Sequence, residues 1–374
     1  MNGMSFTKND SPSLGVEVEL QLVDANTFEL KNCIDDVISH LSEDHQARIK
    51  PELMQSYLEI NTDVCQNVSE VEKDLKEKLK VAGEAAAKAG AKLFWAGTHP
   101  FSPWSEQKIT PTERYQRLVE NLQDTARRLV TFGVHVHVGV DSGDKAVMIC
   151  DRILRHLPTL LALSVNSPFW NGRDTGLHSQ RCKIMESLPT AGLPPLMRNW
   201  SEYVWLVKQM METHFIETIR EIWWDVRPHH NFGTVEVRIC DTPADLHTVL
   251  GLAALIQSLV HALSQEIDQG AYQFDCHPMM VRQNKWRACR HGLEAILVDP
   301  TTHKVQPARD LARELVVLLR EYAQDLNCED YLQIISEVAG KPTGSERQRA
   351  IYQETGDFKE IFRRMLNSEI SADS

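Results

Sequence analysis

The sequence has no excess of basic residues. Its 374 residues include 40 Lys and Arg against 52 Asp and Glu, a formal net charge of −12. Proteins that bind the phosphate backbone of nucleic acids usually present a basic surface, so we expect no nucleic-acid partner. The charge does not argue against a small anionic ligand, because a local site can be positive on an acidic protein.

Long apolar runs and paired cysteines are also missing. No stretch reaches the roughly 18–20 uninterrupted apolar residues of a membrane span, and residues 1–13 lack the apolar run of a secretory signal. The eight cysteines include no CxxC pair, which makes a zinc site built from them a poor interpretation. We therefore expect a cytoplasmic protein with reduced thiols and no membrane partner.

The common nucleotide-binding loops are absent as well. There is no GxxxxGK[ST], and Gly340–Gly344 (GKPTG) only resembles part of one and is interpreted as a turn. There is also no GxGxxG between a strand and a helix. If a nucleotide binds, metal ions and basic side chains must hold it.

What remains is the composition of an ordinary globular protein, with 42% apolar and 25% charged residues. The length alone suits two or three domains or one large one. No internal repeat or linker-like run marks a boundary, so we predict one domain over residues 1–374.

Caps and apolar spacing predict six helices. Ser69 and Glu72 form a capping-box pattern that predicts a helix to Gly90, and Thr110–Glu113 predicts another to about Leu129. The remaining four are predicted at about 144–163, about 201–221, from Thr242-Pro243 onward, and at 307–326.

Four segments alternate between apolar and polar residues: Leu14–Val23, Tyr57–Thr62, Val134–Val140 and Gly233–Asp241. This period of two predicts strands with one buried face and one polar face. Such strands suit an antiparallel or mixed sheet with helices on one side, and the fold class is α+β.

The polar faces carry an unusual set of residues: Glu17, Glu19, Glu59, His135, His137, Glu236, Arg238 and, at the end of the last strand, Cys240. Glutamate is a poor strand former, so its repeated use needs a reason. Carboxylates that converge on one face repel each other unless cations lie between them, and oxygen ligands with an occasional histidine suit Mg²⁺ or Mn²⁺. An ion-paired solvated face remains the alternative for the glutamates.

Other patterns leave alternatives open. The His135-x-His137 pair is also compatible with a zinc hydrolase or with two hydrogen-bonded core histidines. His229-His230 is interpreted as a surface loop. The loop 171–176, followed by Ser179 and Arg181, is a candidate for binding a substrate carboxylate, and a plain turn with exposed arginines is the alternative.

Six motifs occur in order: LGVEVELQLVD, THPF, ERYQ, FGVHVHVGV, LSVNSPFWNGRDTG and FGTVEVRICDTP. Together they resemble the YbdK-type carboxylate-amine ligases, a branch of the glutamate–cysteine ligase family, from about Leu14 to Asp299. The resemblance implies a glutamine-synthetase-like curved antiparallel sheet with helices on its convex face. It also implies weak ATP-dependent ligation of glutamate to cysteine through an acyl phosphate, with Mg²⁺ or Mn²⁺, and a homodimer.

The resemblance also assigns roles to residues. It implies metal ligands at Glu17, Glu19, Glu52, Glu59, His135 and Glu236. It places His137 and Arg238 near the nucleotide phosphates, with Arg238 and Glu236 in catalysis, and Arg173 and Arg181 on the substrate side. The alternatives to a ligase are a metal-dependent amide hydrolase and a non-catalytic regulator that binds a nucleotide or an amino acid.

Overall fold

The computed structural model describes residues 4–271, 276–299 and 302–370, with side chains described to residue 366. The strands, in chain order, are β1 (Leu14–Asp24), β2 (Ile49–Pro51), β3 (Tyr57–Asn61), β4 (Ala91–Phe94), β5 (Gly133–Gly139), β6 (Phe169–Trp170), β7 (Arg173–Asp174), β8 (Ala191–Gly192), β9 (Trp223–Trp224), β10 (Val226–His229), β11 (Thr234–Asp241), β12 (Ile296–Val298) and β13 (Val305–Pro307). The α-helices are α1 (Ile34–Ser39), α2 (Glu43–Gln46), α3 (Val68–Lys88), α4 (Glu113–Leu122), α5 (Asp124–Arg127), α6 (Gly143–Ile153), α7 (Leu157–Ser164), α8 (Gln180–Met185), α9 (Trp200–Glu212), α10 (Leu246–Asp268), α11 (Pro278–His291), α12 (Ala308–Leu318), α13 (Arg320–Asp325), α14 (Glu329–Gly340), α15 (Gly344–Thr355) and α16 (Phe358–Ile370).

A seven-stranded sheet organises the molecule. Its strand order is β10-β11-β5-β1-β3-β2, with β4 also paired to β1, and every pair is antiparallel. The four predicted strands are β1, β3, β5 and β11, and each begins and ends within a residue of its predicted bounds. The predicted α+β class and the antiparallel sheet are confirmed.

The apolar face of the sheet packs against helices. Helices α3, α6, α7 and α10 contact strands of the sheet, and the apolar faces of β1, β5 and β11 belong to one large buried cluster. Helix α10 is long and apolar enough to cross a membrane, but 83% of its most apolar window is buried within the protein. It is therefore a core helix, packed against α14, α6 and β5.

Several predicted helices are shorter than their patterns suggested. The helix predicted from Thr110 is capped by Thr112 and breaks at Gln123, whose φ is 49°. The segments 144–163 and 307–326 each divide into two helices, and the one predicted at 201–221 ends at Glu212. Apolar spacing continues across such breaks because the helices on both sides face the same core, so the pattern alone does not reveal the break.

Two caps also differ from prediction. The cap of α3 is Asn67, whose side chain accepts from the N–H of Glu70, so the predicted Ser69 cap is wrong by two residues. Helix α10 is capped by Asp245 rather than beginning at Thr242-Pro243. The turn predicted at Gly340–Gly344 is confirmed between α14 and α15, where Thr343 forms a capping box with Glu346.

A β-bulge in β11 changes which way its last residues face. The register against β5 shifts by one between Val237 and Cys240, so that Cys240 lies opposite Val134. One extra residue reverses the alternation of faces beyond it. The prediction that Cys240 lies on the polar face is therefore wrong: its side chain is buried in the apolar cluster with Val134.

The prediction of a single domain over residues 1–374 stays a prediction. All eight cysteines are free, and seven of them are buried.

Candidate active site

Strand register brings the predicted polar residues together on the face of the sheet opposite to the one that packs against α3, α6, α7 and α10. Glu17 lies opposite His135 of β5 on one side and opposite Asn61 of β3 on the other. Glu19 lies opposite Glu59, and His137 lies opposite Glu236. Since directly opposite residues point to the same face, four separate strands contribute to one surface.

This surface forms a cavity of about 420 Å³. Nine of the ten residues to which the resemblance assigns roles line it: Glu17, Glu19, Glu52, Glu59, His135, His137, Arg181, Glu236 and Arg238. Glu52, which had no periodicity of its own, follows β2 and accepts a hydrogen bond from the Tyr115 hydroxyl at 2.9 Å. The structure therefore collects residues that are up to 221 positions apart, from Glu17 to Arg238.

Two groups of possible metal ligands share Glu17. Glu17, Glu59 and His135 offer ligand atoms within 4.8 Å of one another, and so do Glu17, His137 and Glu236. The Nδ1 atom of His135 lies 3.0 Å from one carboxylate oxygen of Glu17, and Nε2 of His137 lies 3.5 Å from the other. Nε2 of His137 is buried and makes no hydrogen bond to any residue that the structure describes, although it lies between the carboxylates of Glu17 and Glu236. Mixed carboxylate and imidazole ligands of this kind fit Mg²⁺ or Mn²⁺.

The carboxylates at the β1–β3 side of the cavity are crowded. Burial raises the pKa of Glu19 to about 7, with Arg181 opposing the shift. Burial also raises the pKa of Glu52. The pKa of Glu59 is raised well above its ordinary value by burial and by the nearby carboxylates of Glu17 and Glu52. A divalent cation bound among these carboxylates would favour their ionised forms.

Glu17 behaves differently from these neighbours. Although burial opposes ionisation, the hydrogen bond from His135 and the nearby imidazole of His137 hold the pKa of Glu17 below its ordinary value. Burial and the charge of Arg238 lower the pKa of His135 to about 4, so this imidazole is neutral at pH 7. A neutral imidazole beside an ionised carboxylate is the protonation state that a metal site requires.

Glu236 is buried between two arginines. The Nε atom of Arg227 lies 2.6 Å from one of its carboxylate oxygens, and Arg238 pairs with the other. Arg227 is itself held by the carbonyl oxygens of Ile219 and Ile222, to which it donates at 3.1 and 2.7 Å. Arg227 and Arg238 keep the pKa of Glu236 well below its ordinary value despite its burial. Glu236 therefore remains ionised, with Arg238 at the cavity surface.

Sequence reasoning missed Arg227 because no pattern predicted β10. The signal that could have found it is the segment 230–233, which forms the turn of the β10–β11 hairpin and leads into the predicted strand that begins at Gly233. The same hairpin corrects the prediction for His229. This residue ends β10, lines the cavity and stacks on Phe232 with ring centroids 4.2 Å apart, so it is not a surface-loop residue.

The two substrate-side arginines have different surroundings. Arg181 on α8 is 4% exposed, lines the cavity and donates to the carbonyl oxygens of Arg238 and Ile239 at the bulge, each at 3.3 Å. Its Nε is buried and has no hydrogen-bond partner in the described part of the chain. Gly133 leaves space for the guanidinium, because a Cβ there would lie 2.1 Å from Nη2 of Arg181.

Arg173 is not brought to the cavity. It is exposed in the short β6–β7 hairpin, whose turn residues Asn171 and Gly172 have positive φ angles. Ser179, also predicted near the substrate, is buried as the cap of α8 and donates to Asp241 at 2.8 Å. The plain-turn alternative therefore describes the loop 171–176 better.

The other residues that line the cavity lie in segments without a distinctive sequence pattern, except for Arg114 and Tyr115 of the ERYQ motif. Apolar side chains line part of it, at Leu53, Leu118, Leu129, Met185, Ile219 and Trp223. Three exposed basic residues lie at its edge, at Lys50, Arg114 and Arg220.

A family model described as glutamate–cysteine ligase family 2 matches residues 13–367. The chain belongs to this family. A protein of Gloeobacter violaceus, provisionally named glutamate–cysteine ligase 2, is 43% identical over 352 residues, which cover 94% of this chain and 95% of the relative. One from Rubrobacter xylanophilus, provisionally named glutamate–cysteine ligase 2-1, is 43% identical over 353 residues, 94% of this chain and 93% of its own.

Two solved structures share the fold of this chain. The glutamate–cysteine ligase of Francisella tularensis, solved in complex with AMP, superposes with a TM-score of 0.72 at 14% identity, over 97% of this chain and 90% of that one. A bifunctional glutathione synthetase from Pasteurella multocida gives 0.71 at 14% identity, over 96% of this chain and 52% of that one. The predicted family and the glutamine-synthetase-like fold are confirmed. In this member of glutamate–cysteine ligase family 2, the candidate active site is the polar face of the sheet.

Proposed function

We propose that this protein is an ATP- and divalent-metal-dependent ligase that joins a carboxylate to an amine through an acyl phosphate. The observation that carries the proposal is a single cavity that holds two groups of possible metal ligands, both of which include Glu17. The same cavity is lined by Arg238 and Arg181. Membership in a ligase family supports the same reaction class. We also propose that the protein acts in the cytoplasm as a homodimer.

The residues present fit a metal site. Glu17, Glu59 and His135 would hold one Mg²⁺ or Mn²⁺, and Glu17, His137 and Glu236 a second, with Glu19 and Glu52 beside them. Bound cations would neutralise charge on the β- and γ-phosphates of ATP. Burial and neighbouring carboxylates raise the pKa values of Glu19 and Glu59, and a bound cation would favour their ionised forms.

Arg238 is assigned to the phosphoryl-transfer step. Its guanidinium is held by Glu236 and lies 3.5 Å from Nδ1 of His135, so its position is set before ATP binds. A substrate carboxylate oxygen would attack the γ-phosphorus as the bond to the β–γ bridging oxygen breaks and ADP leaves. A fixed arginine stabilises the charge that develops on the transferred group.

Arg181 is assigned to the carboxylate substrate. Its buried Nε–H has no acceptor among the described residues, and an unsatisfied buried donor is costly unless a ligand accepts from it. The amine would then attack the acyl carbon, and phosphate would leave as the amide forms. Because the relatives are named as glutamate–cysteine ligases, glutamate and cysteine are the first pair to test.

The direct test is ADP release from the purified protein across pairs of amino acids and amines, with Mg²⁺ or Mn²⁺. We expect ADP only when ATP, a carboxylate and a divalent cation are all present. Full product formation in EDTA contradicts the proposal. Hydrolysis of an amide substrate without ATP would identify an amide hydrolase, and ATP binding with no ADP for any pair would identify a regulator.

A matched pair of variants tests the assignment of Arg181. Arg181→Met should raise the KM for the carboxylate substrate at least about 10-fold, the range for a lost charge-assisted contact. Arg173→Met removes an exposed arginine outside the cavity and should leave kcat and KM within about 2-fold. Equal effects of the two substitutions would refute the assignment.

A further inference from the structure

Three lysines in the described part of the chain are nine-tenths buried, and each bridges two carboxylates. Lys78 pairs with Asp63 and Asp74, and Lys145 pairs with Asp141 and Asp268. Lys285 on α11 is 2% exposed, and its Nζ lies 2.7 Å from Glu186 and 2.6 Å from Asp225. A buried ion pair is costly to assemble and is weak support for stability alone. The segments that a buried ion pair connects can therefore indicate a role other than stability.

The carboxylates bound by Lys285 belong to two segments that both contact the bulge of β11. Asp225 lies between β9 and β10, and its carbonyl oxygen accepts from the backbone N–H of Arg238 at 2.8 Å. The N–H of Asp225 in turn donates to the carbonyl oxygen of Gly192 at 2.7 Å. Asp225 is thus part of the backbone support on one side of Arg238.

The second carboxylate, that of Glu186, belongs to the segment that contacts the carbonyl oxygen of Arg238. Glu186 is the C-cap of α8, the helix that carries Arg181. Arg181 donates to the carbonyl oxygens of Arg238 and Ile239, which face it because the bulge removes them from the regular ladder. The N–H and the carbonyl oxygen of Arg238 are therefore held by separate segments, and the Lys285 ammonium ties those segments together.

The Lys285 ammonium has no substitute at Asp225. Glu186 keeps a second cation if Lys285 is lost, because Lys183 also pairs with it. No other ion pair of Asp225 is seen among the described residues. Removing the ammonium would leave a half-buried carboxylate without a counter-charge, and the segment carrying it would shift toward water.

We propose that Lys285 is a positioning residue for the ligase reaction: it fixes the bulge of β11, and with it Arg238, through Asp225 and Glu186. The proposal rests on the function proposed above. Lys285 itself does not line the cavity, so it touches neither substrate nor nucleotide in this arrangement.

The test compares Lys285→Met with Lys145→Met. Lys145 is a matched control, because it is 6% exposed and bridges two carboxylates at 2.6 and 2.8 Å without contacting the bulge. Both variants should lose similar thermal stability. Only Lys285→Met should lower kcat, by at least about 10-fold, with the KM for ATP changed by less than about 3-fold. Lys285→Arg should restore part of the loss, because it keeps the charge.

Two further measurements separate positioning from a general loss of structure. In an Arg238→Ala background, Lys285→Met should cause less than about a 2-fold further loss of kcat, because the group that it positions is gone. Hydrogen exchange of peptides covering residues 225–241 should be at least about 10-fold faster in Lys285→Met than in wild type or Lys145→Met. If Lys285→Met fails to fold, Asp225→Asn breaks the same contact and should give the same pattern.

Equal kcat in Lys285→Met and Lys145→Met, or unchanged exchange at the bulge, would overturn the proposal. Hydrogen exchange needs no turnover. If the wild-type protein releases no ADP with any substrate pair, the proposed function fails, and the exchange comparison still decides whether Lys285 holds the bulge.

Discussion

Glu19 should make the cation-free protein less stable as pH rises. Its carboxylate is half-buried opposite Glu59, and burial raises its pKa from 4.5 to about 7. Because the folded-state pKa lies above the unfolded value, its contribution to stability is fully present below about pH 4.5 and is lost as pH rises through about 7. A difference of about 2.5 pKa units corresponds to roughly 3 kcal/mol, of which roughly 2 kcal/mol falls between pH 5.5 and 8.5.

Glu19→Gln isolates this effect, because glutamine keeps the shape and still accepts from the N–H of Gly133 but carries no charge. In EDTA, the Tm of the variant minus that of wild type should grow by about 2–3 °C between pH 5.5 and 8.5, given the entropy of unfolding typical of this chain length. Adding Mg²⁺ or Mn²⁺ at pH 8.5 should raise the wild-type Tm more than that of the variant and close the gap, since the ionised carboxylate favours cation binding.

The assay is thermal unfolding at constant ionic strength, with Glu84→Gln on the exposed face of α3 as the control. The control should show a Tm difference that does not vary with pH. A Glu19→Gln protein that is less stable than wild type at pH 8.5 in EDTA would refute the reasoning, as would a difference that is constant with pH. Either result would mean that Glu19 is not strained in its ionised form.

Three further predictions concern the bulge and the residues around it. Arg238→Ala should lower kcat about 10²–10³-fold with a smaller effect on ATP binding, and Arg238→Lys should restore only part, as measured by steady-state kinetics; unchanged kcat would exclude this strand as the site. Gly133→Ala should displace Arg181, costing about 1–3 kcal/mol and at least about 10-fold in kcat/KM for the carboxylate substrate; Gly83→Ala, where a Cβ meets nothing within 4 Å, should not reduce Tm or kcat. Cys240→Ser should leave kcat within a few-fold, because the thiol faces the helices; a loss of about 10³-fold would show a catalytic thiol.

Local alternation was enough to predict which residues share the polar face within each strand. Glu17 and Glu19 on β1, His135 and His137 on β5, and Glu236 and Arg238 on β11 all line the cavity as predicted. The reason is that side chains of an extended chain alternate with a period of two whatever their neighbours are. The six ordered motifs likewise predicted the family and its fold, since recognising them requires no knowledge of which strands are adjacent.

The neighbours of each strand were decided only by the tertiary structure. Arg227 reaches Glu236 because β10 pairs with β11, and Glu52 joins the site because β2 pairs with β3. The bulge that turns Cys240 into the core exists only relative to β5. Pairing and register depend on hydrogen bonds between segments far apart in the chain, and a one-residue shift reverses every later side chain. For that reason the sequence alone identified the chemical groups of the site, and the fold determined which of them meet.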